Sequence, residues 1–288
     1  MTAPRLISGL SEIADDYDVV LCDIWGVIHN GVSAYPAACE ALERFNIKNG
    51  PVVLVSNSPR PSPYVYPQLD SFGVPRSAWS GFVSSGDATR VLLAERAPGP
   101  AWAIGPERDQ PLYQGLGLTF SGPEIAAFIS CTGPFDDEIE TPEDYEDRLR
   151  LCARRGLLMI CANPDKVVQR GSRLIYCGGA LADLYAAMGG SVLMAGKPFA
   201  PIYAMALKEA EEKLGRKLDR GRVLCIGDGV VTDVRGAGDQ KLDCLFIARG
   251  IHGDAAIGKD GRLDAGLTAA LLAREDQTAA MAMADLVW

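Results

Sequence analysis

Short apolar runs alternate along the chain with amphipathic stretches, and this alternation predicts an α/β fold. The first run, residues 18–23 (DVVLCD), is rich in β-branched residues and predicts a strand. A turn-rich WGVIHNG follows, then an amphipathic helix over 36–48 that stops at Asn49-Gly50, then a second strand over 52–56. Strand, helix and strand at this spacing form a βαβ unit, which implies a parallel sheet covered by helices. A proline-interrupted helix over 61–72 and a short strand at 81–84 complete the opening segment.

From about residue 85 the pattern restarts. It predicts a helix at 87–96, strands at 101–104 and 127–131, a strongly periodic helix at 142–155, a strand at 157–161 and a helix at 181–188. The opening pattern then resumes with strands at 191–194, 222–226 and 244–248. Helices are expected between them at 201–214 and from about Thr232, and an Ala-rich tail, 265–284, reads as helical. The economical interpretation is a Rossmann-like parallel sheet domain over 1–84 and 191–288, interrupted by an inserted α/β domain over 85–190.

Composition narrows the function classes. With 48% hydrophobic and 23% charged residues among 288, the chain matches an ordinary globular protein. No apolar run approaches the roughly 18 residues of a membrane span. Residues 1–18 are mixed polar and acidic, unlike a secretory signal, so the expected compartment is the cytoplasm. A formal charge of −9 argues against nucleic acid or an anionic membrane as partner. The eight cysteines form no C-x-x-C pair and mostly lie inside apolar runs, which predicts buried, reduced thiols.

In parallel α/β sheets ligands bind beyond the carboxyl ends of the strands. Those ends carry Asp23, then Ser56-Asn57-Ser58, then Gly196-Lys197-Pro198, then Gly227-Asp228-Gly229 with Asp233 five residues beyond Asp228. Alone, each is a common turn or cap signal. Together they supply carboxylates for Mg²⁺, a carboxylate nucleophile, and hydroxyl, amide and ammonium groups for a phosphoryl oxygen.

That ordered set resembles the haloacid dehalogenase superfamily. It is similar in particular to the class IIA branch of p-nitrophenylphosphatase-like and nucleotide-monophosphatase-like enzymes, which carries an α/β cap. VVLCDIWGVIHNG, VVLVSNSPR, GKPFAPIY and GDGVVTDVRGA stand where the family has its four motifs, and CANPD and CGGALADLYAAMGG resemble the return from cap to core. The resemblance implies a Mg²⁺-dependent phosphohydrolase acting on a small phosphorylated metabolite, a sugar phosphate or nucleotide-like, through an aspartyl-phosphate. By it, Asp23 is the nucleophile and a metal ligand, with Asp228, Asp233 and the Trp25 carbonyl completing the metal set. Ser56, Asn57 and Lys197 hold the phosphate, and Asn163 and Asp165 of the cap meet the leaving group. It also allows a homodimer through the cap, which no sequence feature demands.

One position departs from the family pattern. The second residue after the nucleophile, an aspartate that protonates the leaving group in family phosphatases, is Trp25 here. An indole N–H cannot do acid–base work near neutral pH, and such assistance is worth about 10² to 10⁴ in rate. Three readings stay open. His29 or His252, the only histidines, replaces the acid; or the leaving group needs little protonation; or the chain is a phospholigand-binding protein with weak or absent catalysis.

Overall fold

The computed structural model describes residues 3–170 and 173–288. In chain order the strands are β1 (Arg5–Leu6), β2 (Val19–Cys22), β3 (Val52–Ser56), β4 (Gly81–Ser84), β5 (Ala101–Ile104), β6 (Phe128–Cys131) and β7 (Leu158–Cys161). They continue with β8 (Val167–Arg170), β9 (Arg173–Tyr176), β10 (Ser191–Met194), β11 (Val223–Gly227), β12 (Asp243–Ile247) and β13 (Met281–Met283). The α-helices are α1 (Pro36–Lys48), α2 (Tyr66–Phe72), α3 (Ser85–Ala94), α4 (Glu146–Arg154), α5 (Gly178–Ala187), α6 (Ala200–Leu214), α7 (Arg235–Asp239) and α8 (Ala265–Ala273). None of the described helices is long and apolar enough to cross a membrane.

The chain divides into two compact units. One comprises the chain through Ser56, Tyr66–Val83 and Tyr203–Trp288; the other comprises Asn57–Val65 and Ser84–Ile202.

The first unit holds a seven-stranded parallel sheet in the order β1-β13-β12-β11-β2-β3-β4. Every residue of β2 and β11 is buried, as expected of central strands covered on both faces, and this is why they read as unbroken apolar runs. Helix α1 starts with Pro36 in its first turn, where a missing N–H costs nothing. It buries Ala38, Ala41, Leu42 and Phe45. From β2 the chain winds outward through β3 and β4, and from β11 it winds the opposite way through β12 and β13. The winding direction reverses between β2 and β11, and that reversal opens a crevice at their carboxyl ends.

The second unit holds a four-stranded sheet, β10-β7-β6-β5, whose pairings are all parallel, and a separate β8-β9 hairpin. Its core packs Trp102, Ile129, Tyr145, Leu149, Leu181 and Tyr185 around that sheet.

Several elements differ from expectation. The 61–72 stretch is a 3-10 turn at Ser62–Tyr64 followed by the short α2, because its prolines remove backbone donors. The alanine-rich tail is helical only through Ala273. Met281–Met283 instead forms β13, fully buried beside β12, so tertiary pairing overrides helix propensity there. Residues 191–194, grouped by sequence with the first sheet, pair in register with β7, Ser191 opposite Leu158 through Met194 opposite Cys161. The second unit accordingly runs on to Ile202 and takes in Asn57–Val65. β1 and the β8-β9 hairpin fall in segments for which the sequence predicted no element.

Candidate active site

Asp23 directly follows β2, and its N–H donates to the Ile226 carbonyl of neighbouring β11 at 2.8 Å. Asp228 directly follows β11. The two residues therefore leave adjacent strands at the point where the winding reverses. Asp233 lies one turn further on, in the π-helical stretch Val230–Val234 that precedes α7. This wide turn, a form that recurs at functional sites, stands where the sequence predicted an ordinary helix start. Oxygen atoms of Asp23, Asp228 and Asp233 all lie within 4.8 Å of one another, the one such cluster of potential metal ligands among the described residues.

Backbone groups aim these carboxylates. The Ile251 N–H donates to Asp228 Oδ2 at 2.6 Å, and the Gly229 N–H donates to Asp233 Oδ2 at 3.0 Å. Asp228 and Asp233 are 4% and 5% exposed, whereas Asp23 is partly exposed. Two glycines make room: a Cβ on Gly26 or on Gly250 would run into the Asp228 carboxylate. Gly26 also has φ +79°, a conformation L side chains rarely adopt. Sequence reasoning missed Gly250 and Ile251. The signal was there, since they follow the predicted 244–248 strand at its carboxyl end. Three carboxylates within one cation's reach, all hard oxygen donors, fit a divalent ion of the Mg²⁺ or Ca²⁺ type.

The loop after Asp23 folds on itself. The Gly26 N–H donates to the His29 carbonyl at 2.8 Å, and the Trp25 indole nitrogen lies 3.1 Å from where a Cβ on Gly31 would stand. His29 is buried, its Nδ1 accepts the Gly31 N–H at 3.0 Å, and its ring meets Phe72 edge-on at 4.9 Å. Burial lowers its pKa to about 4. His252 lies near the Asp228 main chain and against Phe246; burial lowers its pKa too, and its Nε2 is buried without a hydrogen-bond partner. Burial first, then the nearby Cys225, Asp233, Cys244 and Asp23, hold the Tyr203 phenol well above its ordinary value. The Tyr35 phenol is likewise pushed up, by burial and then by Asp228 and Asp285. Ser56 closes β3 at the same carboxyl edge of the sheet.

The second unit gathers the remaining predicted residues around Asn57. Its Oδ1 accepts the Lys197 N–H at 2.7 Å, while its Nδ2 donates to the Lys197 carbonyl at 3.2 Å and to Asp165 Oδ1 at 2.9 Å. Lys197 is 3% exposed. Asn163 Oδ1 accepts the Asp165 N–H at 3.1 Å, closing the turn that Asn-Pro-Asp suggests. The side chain of Asn57 thus positions Lys197, and Asn163 and Asp165 have structural partners of their own. No sequence signal distinguished this from an ordinary polar turn. All eight cysteines are buried, and none is in a disulfide.

The family model described as haloacid dehalogenase-like hydrolase matches residues 20–119, and a HAD-hydrolase-like model matches residues 194–273. The crystal structure of a haloacid dehalogenase-like hydrolase from Brucella suis is 44% identical, with a TM-score of 0.87, and covers 98% of this chain and 100% of that one. The D-glycerol 3-phosphate phosphatase of Mycobacterium tuberculosis is 23% identical over 251 residues, 84% of this chain and 66% of that protein, so this chain spans just under two thirds of its length. The p-nitrophenyl phosphatase of Archaeoglobus fulgidus shares the fold at TM-score 0.71 and 22% identity, over 94% of this chain and 97% of that one. With the central strand ends, the acidic trio and a full-length relative in agreement, the chain belongs to the haloacid dehalogenase-like hydrolase family.

Proposed function

We propose that the protein is a Mg²⁺-dependent phosphohydrolase that cleaves a small phosphorylated metabolite, a sugar phosphate or nucleotide-like, through an aspartyl-phosphate on Asp23. The observation that carries this reading is the placement of Asp23, Asp228 and Asp233 around one point at the strand reversal. Names among the relatives, a glycerol phosphate phosphatase and a nitrophenyl phosphatase, support the substrate class.

In this reading Asp23 is the nucleophile and, with Asp228, Asp233 and the Trp25 main-chain carbonyl, holds Mg²⁺. The bound ion would neutralise charge on the phosphoryl oxygens. Ser56 and the Asn57 N–H fix those oxygens, and Lys197, set in place by Asn57, offsets their charge. Asn163 and Asp165 contribute to recognition of the leaving group through the turn they form. The enzyme would work in the cytoplasm on small molecules, without nucleic acid or membrane, and could pair through its cap.

The test is phosphate release from a panel of phosphate esters and anhydrides with Mg²⁺. Release is expected to vanish with a chelator and to fall by several orders of magnitude in Asp23→Asn. Trp25 favours a second reading, a phospholigand-binding protein. That reading requires phosphate binding without Asp23-dependent turnover of any substrate in the panel.

A further inference from the structure

The Asp228 carboxylate is aimed by a turn that is itself held from outside the acidic trio. Past the end of β12 the chain goes on pairing with the residues that lead out of β13. The Ala248 N–H donates to the Met283 carbonyl at 2.9 Å, and the Arg249 N–H donates to the Ala284 carbonyl at 3.1 Å. The chain then turns through Gly250-Ile251-His252-Gly253 and closes where the Gly253 N–H donates to the Arg249 carbonyl at 2.5 Å. Within the turn the Ile251 N–H donates to Asp228 Oδ2 at 2.6 Å, and a Cβ on Gly250 would come within 2.1 Å of the same oxygen.

Such a turn needs help to keep its shape. It begins and ends on glycine, with Gly253 at φ +55°, and glycine loses more freedom on ordering than any other residue. Ile251 is 48% exposed, and the His252 ring packs on Phe246 at 5.9 Å. Arg249 adds the polar restraint. Its Nε donates to Asp254 Oδ1 at 3.1 Å, across the turn, and its Nη1 donates to Asp285 Oδ2 at 2.7 Å, beyond β13. One planar guanidinium, with its donors in a fixed fork, thus ties both ends of the turn to the neighbouring strand. The Asp254 and Asp285 side chains are 79% and 58% exposed, so these pairs contribute little to global stability. Their effect is local, on where the Ile251 N–H points.

We propose that Arg249 is a positioning residue for the divalent cation: through Asp254 and Asp285 it fixes the turn that orients the Asp228 carboxylate. This rests on the proposed function, in which Asp23, Asp228 and Asp233 hold that ion. The sign of the effect separates positioning from bare charge. A guanidinium repels a bound cation, so removing its charge alone would tighten metal binding. Loosening a ligand weakens it.

The experiment measures Mg²⁺ binding to the full chain by isothermal titration calorimetry, with urea unfolding of the same metal-free proteins. Arg249→Gln should weaken Mg²⁺ binding about three- to tenfold and leave the unfolding midpoint close to wild type. Asp285→Asn should weaken it in the same direction. The double variant should bind little worse than Arg249→Gln, because both changes cut one tie. In phosphate release, excess Mg²⁺ should restore the Arg249→Gln rate, a recovery that a general loss of structure would not show. Unchanged or tighter Mg²⁺ binding in folded Arg249→Gln overturns the proposal, as does strict additivity in the double variant. If Arg249→Gln does not fold, Asp285→Asn carries the test, and wild-type affinity there overturns the proposal. No Mg²⁺ binding to the wild type, or binding undiminished in Asp228→Asn, overturns instead the metal site on which the proposed function stands.

Discussion

Acidification should destabilise the native protein through His29, by an amount the structure lets us work out. The ring is 6% exposed, lies against Phe72, and accepts the Gly31 N–H on Nδ1, so the neutral ring carries its proton on Nε2. Burial depresses its pKa from 6.5 to about 4. The unfolded chain takes up a proton near 6.5, and the native chain only near 4. Between those values the unfolded state holds more protons, so stability present above about pH 6.5 is lost as pH falls toward 4. At 1.36 kcal/mol per pKa unit the loss is about 3 kcal/mol, a large share of the stability of a typical domain. The assay is urea unfolding across pH 4 to 7 for wild type and His29→Gln, with the difference isolating this residue. Imidazole NMR gives the pKa directly, and with only two histidines in the chain a His252→Gln spectrum completes the assignment. A native His29 pKa above 6, or identical pH dependence in the two proteins, would refute the reasoning. A ring that titrates near 4 has no proton to offer at pH 7, so the same measurement decides whether His29 can replace the missing acid.

Two further outcomes follow from the site geometry. Gly250→Ala should displace the Asp228 carboxylate and lower Mg²⁺ affinity at least tenfold by calorimetric titration; unchanged affinity would show that the Asp228 position tolerates a Cβ there. Asn57→Ala leaves the Lys197 N–H without its acceptor, so loss of about 1 to 3 kcal/mol is expected in denaturant unfolding, and Asn57→Asp should recover part of it by restoring that acceptor.

The parts of the fold set by local pattern could be read directly from the chain. β4, β5 and β10 fall on the predicted residues, because short, largely apolar runs between polar or turn-forming segments have few alternatives. β13 could not be read, since an alanine-rich stretch becomes a strand only when a buried edge beside β12 is available to it. The partner of β10 was equally hidden: four apolar residues do not say which of two sheets they join. At the site, Asp23, Asp228 and Asp233 were legible because chemistry requires those residue types at strand ends. Ile251 acts through its main chain and Gly250 through the absence of a side chain, and neither has a residue-type signature. Asn57 was singled out for a phosphate, yet its side chain spends its capacity on Lys197 and Asp165.

That last arrangement bears on the order in which the protein assembles. The bonds between Asn57 and the Lys197 backbone join residues 140 apart in sequence. Contacts so remote form only after much of the intervening chain has found its place, because the entropy of closing the loop precedes any return from the contact. Lys197, to which the proposed function gives a phosphate, is therefore among the last residues to reach its place during folding. A chain released early, or trapped part-way, would contain Asn57 and Lys197 and still lack the bonds between them. Recovery of activity during refolding should lag behind recovery of secondary structure, and Asn57 is the residue that couples the two.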